Sequence, residues 1–342
     1  LSIGFVLLYS VHKIPSHYFR GISILMLPIV VLLLIYTASQ GTVIAGANAS
    51  RWIRIPIIGL SFQTSTLASV VLMTYSATYL SKLEELSPSF KSSLLRFWLP
   101  VFVVVLLIFP SNLSTAALLF SMVLMLAFIA GYPLRYLMTI IGSGMVAVLL
   151  FFLLIKAFPG VFPNRVDTWM SRIENFRTGK SADGNYQVAR AKTAIVSGKI
   201  FGLGAGKSRM KNFLPQSSSD FIYAIIVEEF GLVGGVGLIL LYLLLLYRIL
   251  VIAYKTTSVF RKLTVVGLGI PIVFQAFINI GVALQVIPVT GQNLPMISSG
   301  GTSAWMTCVA LGIILSISAH EDVVVVRPID ENNPLNILSE TL

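Results

Sequence analysis

The chain has 342 residues, of which 56% are hydrophobic and 11% are charged, and its mean hydropathy is +0.90. This composition excludes an ordinary soluble domain, in which about a quarter of the residues are charged. Repeated apolar runs of the ~17–25 residues that cross a bilayer instead predict an all-α, polytopic transmembrane bundle. The net charge is +11, and no nucleic-acid partner is expected.

Nine apolar runs are predicted to span the membrane, and the chain starts inside the first of them without a Met. We therefore expect the beginning of the first span to be missing. The run 221–253 is too long for one span, and Glu228 and Gly231 should divide it into a short surface helix and a span from about Leu232. The predicted spans are residues 1–11, 21–39, 63–80, 99–109, 114–130, 137–158, 232–253, 263–284 and 303–319.

The segments between the spans are expected to be loops. Residues 1–319 thus form one membrane domain, and residues 320–342 form a charged cytoplasmic tail that is expected to be unpacked. The predicted loops that matter below are residues 41–62, 81–97, 159–219 and 285–302.

The orientation of the bundle follows from Lys and Arg in the short loops, because these residues favour the cytoplasmic side. One side carries eleven of them, whereas the other carries only Arg51 and Arg54. The first side is therefore predicted to be cytoplasmic, which places the loops 159–219 and 285–302 outside. The eleven residues are Lys13, Arg20, Lys82, Lys91, Arg96, Arg135, Arg248, Lys255, Arg261, Lys262 and Arg327.

The long outer loop 159–219 carries ten basic residues against three acidic ones. Long loops are largely exempt from the charge rule, so this loop leaves the predicted topology unchanged. Its charge favours an anionic ligand held outside the membrane. A generic attraction to lipid headgroups is the alternative explanation, and the sequence leaves both open.

Asp220 lies where this outer loop ends and an apolar helix is predicted to begin at Phe221. A carboxylate at the mouth of a membrane helix is costly to maintain, which makes it a functional candidate. The alternative is that Asp220 only caps the helix, with Ser217, Ser218 or Ser219 as substitutes. The two roles are compatible, and these residues alone do not choose between them.

A glycine-rich turn at residues 202–206 precedes Lys207 and Ser208. It resembles a nucleotide-binding loop, but that motif needs a further Gly where Phe201 stands, and no strand precedes it. We therefore reject nucleotide binding. The backbone amides of the turn are still expected to be able to cradle a phosphate. The cationic side chains that would join them are Lys207, Arg209 and Lys211.

Three further features are unusual for a simple helical bundle. Trp52 stands between two arginines on the outer side, where Trp is more often an interface anchor. Residues 288–301 are rich in Gly and Pro, and such backbone persists at membrane depth only when it is buried in protein or lines a polar cavity. Gln275 and Asn279 lie in the preceding span and are expected to form interhelical hydrogen bonds.

Cysteine and histidine give no sign of a disulfide or a metal site. Cys308 is the single cysteine and lies in an apolar run, so no disulfide framework is expected. His12, His17 and His320 flank apolar runs without the spacing of metal ligands, so a histidine-based metal site is not expected either.

Taken together, these segments resemble the shape, elongation, division and sporulation (SEDS) family of polytopic membrane proteins. The resemblance extends over essentially the whole chain, and the order and spacing of the matching segments make it specific. The family has ten spans, so the nine predicted here imply that its first helix is absent. The matching segments are Arg51-Trp52, Phe62-Gln63, Gly184-Asn185-Tyr186-Gln187, Ala194-Ile195 with Gly198, Gly202-Leu203-Gly204, Leu214-Pro215, Ser219-Asp220-Phe221-Ile222, Glu228-Glu229-Phe230-Gly231, Asn279-Ile280-Gly281, Pro288-Val289-Thr290-Gly291, Leu294-Pro295 and Ser298-Ser299-Gly300-Gly301.

Several positions depart from the family pattern. Residues 64–66 read Thr-Ser-Thr where Pro-Ser-Glu is usual, and Ser69 replaces a usual Lys. Asn112 stands where the family has an acidic residue, so a role for that carboxylate in binding metal or substrate does not carry over. Asp220 is retained at the position that the family needs for activity. The form of residues 172–176 and of 211–215 favours the division branch of the family.

The resemblance implies a peptidoglycan glycosyltransferase of the bacterial cytoplasmic membrane that polymerises lipid II during cell division, with its catalytic loop outside. Asp220 is then the catalytic base, and a divalent cation, Mg²⁺ or Mn²⁺, suits the pyrophosphate leaving group. The implied partners are lipid II, the undecaprenyl-pyrophosphate-linked glycan, a class B penicillin-binding protein transpeptidase and other membrane proteins of the divisome. The substrate-binding candidates are Arg51, Trp52, Gln187, Arg190, Lys192, Lys207, Arg209, Lys211, Ser298 and Gly300.

Two other functions stay open at this point. A lipid II flippase would share the broken helices and the polar residues at membrane depth. The concentration of charge in one outer loop and the lack of a visible inverted repeat count against it. A non-catalytic scaffold for division proteins is the other alternative, and it would leave Asp220 without a role.

Overall fold

The computed structural model describes residues 2–39, 43–44, 47–48, 52–54, 61–83, 89–157, 182–214 and 217–319. These residues form a bundle of α-helices with two short β-hairpins, which confirms the predicted all-α membrane fold. The helices are α1 (Ser2–His12), α2 (Tyr18–Ser39), α3 (Thr64–Leu80), α4 (Phe90–Ser93), α5 (Leu99–Ile108), α6 (Leu113–Ile129), α7 (Leu134–Ala157), α8 (Ala182–Gly198), α9 (Ile222–Lys255), α10 (Val259–Ala283) and α11 (Gly301–Ala319). The strands are β1 (Val43–Ile44), β2 (Ala47–Asn48), β3 (Trp52–Arg54) and β4 (Ser61–Gln63).

The lengths of these helices fit a protein that crosses the membrane many times. In the described part of the chain, five helical stretches are long and apolar enough to cross a bilayer by length and composition: α2, Phe90–Ile108, α9, α10 and α11. Shorter apolar helices are α1, α6 and the Leu134–Leu150 part of α7. Each of the nine predicted spans falls on a helix, so the chain is a multi-pass membrane protein.

The predicted loop 81–97 is wrong at its C-terminal end, where α4, a π-helical turn at Leu94–Trp98 and α5 form one continuous helix. Pro100 lacks the N–H that would bond to the Arg96 carbonyl in a regular helix. The Tyr75 hydroxyl donates to that carbonyl instead, at 2.5 Å. A side chain from α3 thus satisfies the group that proline leaves open, and the helix continues through the wider turn.

The outer segments predicted as loops also contain regular structure. Residues 41–62 include strands of two antiparallel hairpins, in which β1 pairs with β2 and β3 pairs with β4. The long loop 159–219 contains α8. Because α8 mixes small residues with Asp, Asn, Gln, Arg and Lys, a search for apolar runs does not detect it.

Helices α2 and α3 are linked by side-chain hydroxyl groups at both ends of the bundle. At one end, the Ser23 hydroxyl of α2 lies 3.3 Å from the Thr78 hydroxyl of α3. At the other end, the Thr37 hydroxyl lies 3.3 Å from the Thr64 hydroxyl. The strand β4, which ends directly before Thr64, also contacts α11 at this end. The amide of its last residue donates to the Thr302 hydroxyl. We call this second end the site end.

Helix α10 lies in the middle of the bundle, in contact with α3, α6, α9 and α11. Small residues allow these close approaches, as is usual between membrane helices. A Cβ on Gly267 would lie 3.0 Å from the Leu126 side chain of α6, and a Cβ on Gly269 would lie 2.6 Å from Ile249 of α9. The central helix is therefore held on two sides by contacts that larger residues would disturb.

Helix α9 is kinked at Gly231, whose φ of 71° and ψ of −171° are not helical. A Cβ on Gly231 would lie 2.1 Å from the carbonyl oxygen of Ile200, so only glycine fits there. The predicted interruption of the run 221–253 is thus present. Gly231 separates two helices there, a short one before it and a longer one from Leu232, as predicted, and we keep the label α9 for both parts.

The segment Lys199 to Gly204 replaces the hydrogen bonds that this kink removes from α9. In an unbroken helix, the carbonyls of residues 228 and 229 accept from the amides of residues 232 and 233. Here those carbonyls accept from the amides of Leu203 and Gly204, both at 2.9 Å. The amides of Leu232 and Val233 donate to the carbonyls of Lys199 and Ile200, at 2.9 and 3.2 Å. Four intrahelical groups are therefore satisfied by the chain that follows α8, which fixes α8 against α9.

Candidate active site

A second apolar cluster anchors the residues that precede α9. It joins α8 to the turn at residues 210–214, to the start of α9 and to the end of α10. Phe221 belongs to it and is 1% exposed, so the residue directly after Asp220 is fixed. The buried members of the cluster are Ala191, Ala194, Leu214, Phe221, Ala224, Ile225 and Val282.

The backbone around Asp220 is held by residues of α10 and of the loop between α10 and α11. The Ser298 hydroxyl donates to the Ser219 carbonyl at 2.7 Å. The side-chain amide of Asn279 donates to the carbonyl of Asp220 itself at 2.9 Å. Two consecutive carbonyls are thus bound by separate elements, and this fixes the backbone that carries the carboxylate.

The carboxylate of the partly buried Asp220 lies beside Gly291. A Cβ on Gly291 would lie 3.6 Å from the Oδ2 atom of Asp220. Gly291 has a φ of 68°, a conformation that glycine adopts without steric cost. The loop between α10 and α11 therefore approaches the carboxylate with bare backbone at this point.

The alternative role of Asp220 is to cap α9, and the structure places the N-cap one residue later. The cap residue is Phe221, with φ of −114° and ψ of 18° and no side-chain hydrogen bond to the helix. The helix begins at Ile222, one residue later than predicted, which moves Asp220 outside the cap position.

A chain of hydrogen bonds connects the backbone of Asp220 to the start of α6. The Asn279 amide also donates to the Gln292 carbonyl at 2.7 Å. The Gln292 side chain donates to the Thr115 hydroxyl at 2.9 Å, and the Thr115 amide donates to the Asn112 side chain at 3.3 Å. Asn112 is thus the N-cap of α6. Its amide performs a structural task where the family pattern has a carboxylate.

The predicted binding residues Ser298 and Gly300 shape the loop next to Asp220. Besides its bond to Ser219, the Ser298 oxygen accepts from the Leu294 amide at 2.7 Å. At Gly300, a Cβ would lie 2.6 Å from the side-chain nitrogen of Asn293, so glycine admits that side chain. Their contact with a substrate stays a prediction.

The hairpin β3–β4 brings Trp52 to the site end. Trp52 pairs with Gln63 across the hairpin, and the Gln63 amide donates to the Thr302 hydroxyl at 3.3 Å. Thr302 follows Gly300 by two residues in the same loop-to-helix junction. The backbone of Trp52 therefore lies near this junction, whereas the predicted binding residue Arg51 lies outside the described residues.

Arg190 of α8 lies between two aromatic rings. Its guanidinium carbon is 5.0 Å from the centroid of the Tyr186 ring and 5.8 Å from that of Phe213. We call residues 207–211, with Lys207, Arg209 and Lys211, the cationic segment. Phe213 follows this segment, so the contact connects α8 to the end of it. Of the other two candidates on α8, Lys192 is exposed and Gln187 is partly buried.

The backbone amides at residues 202–204, predicted to help cradle a phosphate, are already bonded within the protein, which contradicts that part of the prediction. The first donates within the turn that ends α8, and the next two donate to carbonyls of α9. The amides of Arg209 and Met210 are occupied as well, because they donate to the carboxylate of Glu228 at 3.0 and 3.3 Å. The cationic side chains Lys207, Arg209 and Lys211 remain exposed.

Three residues of this region are absent from the predicted site. Glu228 is assigned only a helix-breaking role above, although a carboxylate in an apolar run is itself a sign of function. Thr115 and Gln292 carry no such sign, because their role depends on contacts between distant segments. Among the described residues, no group of three or more His, Cys, Asp or Glu side chains is placed to hold a metal ion.

Comparison with known proteins places the chain among bacterial cell-wall proteins. A family model for cell cycle proteins of the FtsW, RodA and SpoVE type matches residues 1–323. A probable peptidoglycan glycosyltransferase FtsW of Hydrogenovibrio crunogenus is 33% identical over 97% of this chain and 84% of its own length. The probable peptidoglycan glycosyltransferase FtsW of Escherichia coli O6:H1 is 31% identical over 93% of this chain and 75% of its own length.

Solved structures share the fold. A chain of a peptidoglycan synthase complex, described for its coordination of polymerization and crosslinking, superposes with a TM-score of 0.72 at 25% identity. The match covers 94% of this chain and 88% of that one. A variant of the Thermus thermophilus rod shape determining protein RodA gives a TM-score of 0.64 at 25% identity, over 94% of this chain and 86% of that one.

Proposed function

Since the chain belongs to the FtsW, RodA and SpoVE family of cell cycle proteins, we infer that it is a peptidoglycan glycosyltransferase of the division type. The proposed substrates are lipid II and the growing glycan linked to undecaprenyl pyrophosphate. The proposed reaction joins them into glycan strands at the outer face of the cytoplasmic membrane. The support at the level of residues is the arrangement around Asp220.

The observation that carries this chemistry is the fixed position of Asp220. Its carbonyl is bound by Asn279, and its carboxylate lies beside the bare backbone of Gly291. A general base works only when it is held within reach of the proton that it accepts. We therefore assign to this carboxylate the proton of the acceptor 4-hydroxyl group, whose oxygen attacks the anomeric carbon of the donor sugar.

The departing pyrophosphate needs positive charge more than it needs a proton, because it leaves as a stable anion. Preorganised cations that face a developing negative charge stabilise a transition state. The cations of the segment before α9 and of α8 supply such charge, and the backbone of that segment is bonded to Glu228 of α9. The proposed pyrophosphate-binding residues are Arg190, Lys192, Lys207, Arg209 and Lys211. The remaining proposed contacts to the glycan are Arg51, Trp52, Gln187, Ser298 and Gly300.

A divalent cation fits this site only when the substrate contributes ligands. The described residues offer no cluster of three metal-ligating side chains, and Asn112 is used as a helix cap. Mg²⁺ is commonly bound through one or two carboxylates together with substrate phosphates. We therefore propose that Mg²⁺ or Mn²⁺ arrives with the pyrophosphate, where it would neutralise charge. In that arrangement Asp220 is left to accept the proton.

The proposed location of the site is outside the cytoplasm. The excess of Lys and Arg on the opposite side of the predicted topology supports it. The proposed partner is a class B penicillin-binding protein transpeptidase, together with other membrane proteins of the divisome. Support for the transpeptidase comes from the match to a chain of a peptidoglycan synthase complex that couples polymerization to crosslinking.

The experiment that tests this function is polymerisation of purified lipid II by the purified protein in lipid nanodiscs. Asp220→Asn removes the base but keeps the size of the side chain, so we expect the rate to fall about 100-fold or more. Glu229→Gln is the matched control, since it removes a carboxylate from the same helix region. It should polymerise at the parental rate.

Lipid II binding and thermal unfolding are measured on the same variants. We expect both to stay close to the parental values for Asp220→Asn. Near-parental polymerisation by that variant would contradict the assignment of the base. Absence of polymerisation by the parent, combined with movement of lipid II across the bilayer, would favour the flippase instead.

A further inference from the structure

Glu228 is a fully buried carboxylate that the proposed chemistry does not use. Its side chain lies in the first part of α9, before the kink, and is 0% exposed. The carboxylate accepts hydrogen bonds from the Arg209 amide at 3.0 Å, from the Met210 amide at 3.3 Å and from the Ser208 hydroxyl at 2.5 Å. A buried carboxylate needs such donors, because an unpaired charge is strongly disfavoured away from water.

The donors belong to the cationic segment and form a compact turn around the carboxylate. The Ser208 oxygen, which donates to Glu228, accepts in turn from the Lys211 amide at 3.0 Å. Residues Met210–Asn212 then form a short 3₁₀ turn. Successive backbone amides of this kind commonly surround a bound anion. In this protein the anion is a side chain of α9.

This arrangement separates the backbone of the segment from its cationic side chains. The backbone donors face inward to Glu228, whereas the side chains of Lys207, Arg209 and Lys211 are exposed. A segment with three neighbouring cations resists ordering, because like charges repel one another. The internal carboxylate opposes this repulsion and fixes the backbone from which the cations extend.

We propose that Glu228 is a positioning residue, which acts through the cationic segment by holding the backbone of residues 208–211 in the form that binds a pyrophosphate group. The inference rests on the proposed function, because it takes this segment to be the pyrophosphate-binding part of the site. Glu228 itself does not touch the substrate. By ordering this backbone, Glu228 holds the three cations near one another. Without this carboxylate, an external anion would have to order the segment.

The test uses the full protein in nanodiscs, with undecaprenyl pyrophosphate as the binding probe. Glu228→Gln keeps the shape of the side chain but removes its charge and places an NH₂ group among donors. We expect about a tenfold weaker binding of the probe, because amide acceptors hold N–H groups less tightly than carboxylates do. Hydrogen exchange of the peptide that contains residues 208–211 should become about tenfold faster.

The matched control is Glu229→Gln, which changes the next residue. The described hydrogen bonds of the 208–211 backbone do not involve the Glu229 carboxylate, so both measurements should remain parental. Ser208→Ala serves as a milder variant, since it removes the hydroxyl that donates to Glu228 and accepts from the Lys211 amide, and it leaves the charge in place. We expect it to change probe binding and exchange by about threefold, which keeps the test decisive even when Glu228→Gln does not fold.

Two results would overturn the inference. Parental exchange in both Glu228→Gln and Ser208→Ala would show that the carboxylate does not order the segment. Faster exchange with parental binding of the probe would show that its order is irrelevant to pyrophosphate. Neither readout requires polymerisation, so a failure of the proposed activity is distinguishable from a failure of this inference.

Discussion

The Asn279 side chain binds the carbonyl of Asp220, at 2.9 Å, with the same nitrogen that binds the Gln292 carbonyl, at 2.7 Å. One side chain of the central helix thus joins the residue before α9 to the loop after α10. Asn279 is 1% exposed, so water cannot easily replace it. The position of the proposed base therefore depends on an amide that has no part in the chemistry.

We predict that Asn279→Ala destabilises the protein and lowers its activity. Two carbonyls would lose their donor, and a buried polar group without a partner costs ~1–3 kcal/mol. Polymerisation should fall further than this loss of stability explains, because the backbone of Asp220 is released. Thermal unfolding and lipid II polymerisation measure the two effects.

Gln275→Ala is the control for this prediction. Gln275 lies on the same helix and donates to the Asn293 carbonyl at 3.1 Å, a bond that does not include the Asp220 carbonyl. Its removal should cost a similar hydrogen bond but should leave the rate per folded molecule near parental. Equal losses of rate in the two variants would contradict a specific role for Asn279.

We predict that Gly291→Ala lowers stability by ~1–2 kcal/mol, which is the cost of a side chain in the left-handed region. Gly291 has a φ of 68°, and its new methyl group would contact the Asp220 carboxylate. Both effects should reduce polymerisation. Gly301→Ala is the control, because a Cβ there meets nothing within 4 Å. Parental stability of Gly291→Ala would show that the loop relaxes without difficulty.

The contact of α8 with α9 gives a third prediction. A Cβ on Gly198 would lie 2.0 Å from the Val227 carbonyl oxygen, so Gly198→Ala must push the two helices apart. Overpacking of this kind typically costs ~1–3 kcal/mol, and it would displace the segment that replaces the broken bonds of α9.

Gly237→Ala is the matched control for Gly198→Ala. A Cβ on Gly237 meets nothing within 4 Å, and alanine is favoured over glycine by up to ~1 kcal/mol in a helix. The two Gly-to-Ala changes should therefore shift the midpoint of thermal unfolding in opposite directions. A shift of the same sign in both would contradict the described packing.

The sequence predicts the membrane helices well because their signal is local. Apolar length alone indicates the spans, and Gly231 marks the break in α9. Apolar length does not indicate α8, whose composition is that of a soluble helix. It also does not indicate that the Tyr75 hydroxyl supports the helix around Pro100. These depend on which segments meet in space.

The residues of the candidate site also fall into two groups, those that the sequence indicates and those that only the structure reveals. Asp220 stands out from the sequence because a carboxylate at the mouth of a membrane helix is costly. The roles of Asn279, Gln292 and Thr115 follow only from contacts between α6, α10 and the loop after α10. The phosphate cradle fails in part for a related reason, since the amides of Leu203 and Gly204 donate to carbonyls of α9 that are distant in sequence.

A fourth prediction concerns Asn112, where the family pattern has an acidic residue. Asp and Asn cap helices about equally well, so Asn112→Asp should keep the cap, but its charge at this buried position should lower the free energy of unfolding. It adds a carboxylate that is linked through Thr115 and Gln292 to the backbone of Asp220. Because Mg²⁺ prefers carboxylate ligands, we expect polymerisation by this variant to reach half its maximal rate at lower Mg²⁺ than in the parent. An unchanged Mg²⁺ dependence would show that this position lies outside the reach of the cation.

The last prediction is the orientation of the bundle in the membrane. Lys192 on α8 and Thr257 between α9 and α10 are both exposed and are predicted to lie on opposite sides. Single Lys192→Cys and Thr257→Cys variants are made in a Cys308→Ser background. This background removes the single native cysteine, so the introduced cysteine is the one that reacts. A membrane-impermeant maleimide added to spheroplasts should label the cysteine at 192, whereas the cysteine at 257 should react only after permeabilisation. Labelling at 257 in intact spheroplasts would reverse the orientation, and with it the outer location of Asp220.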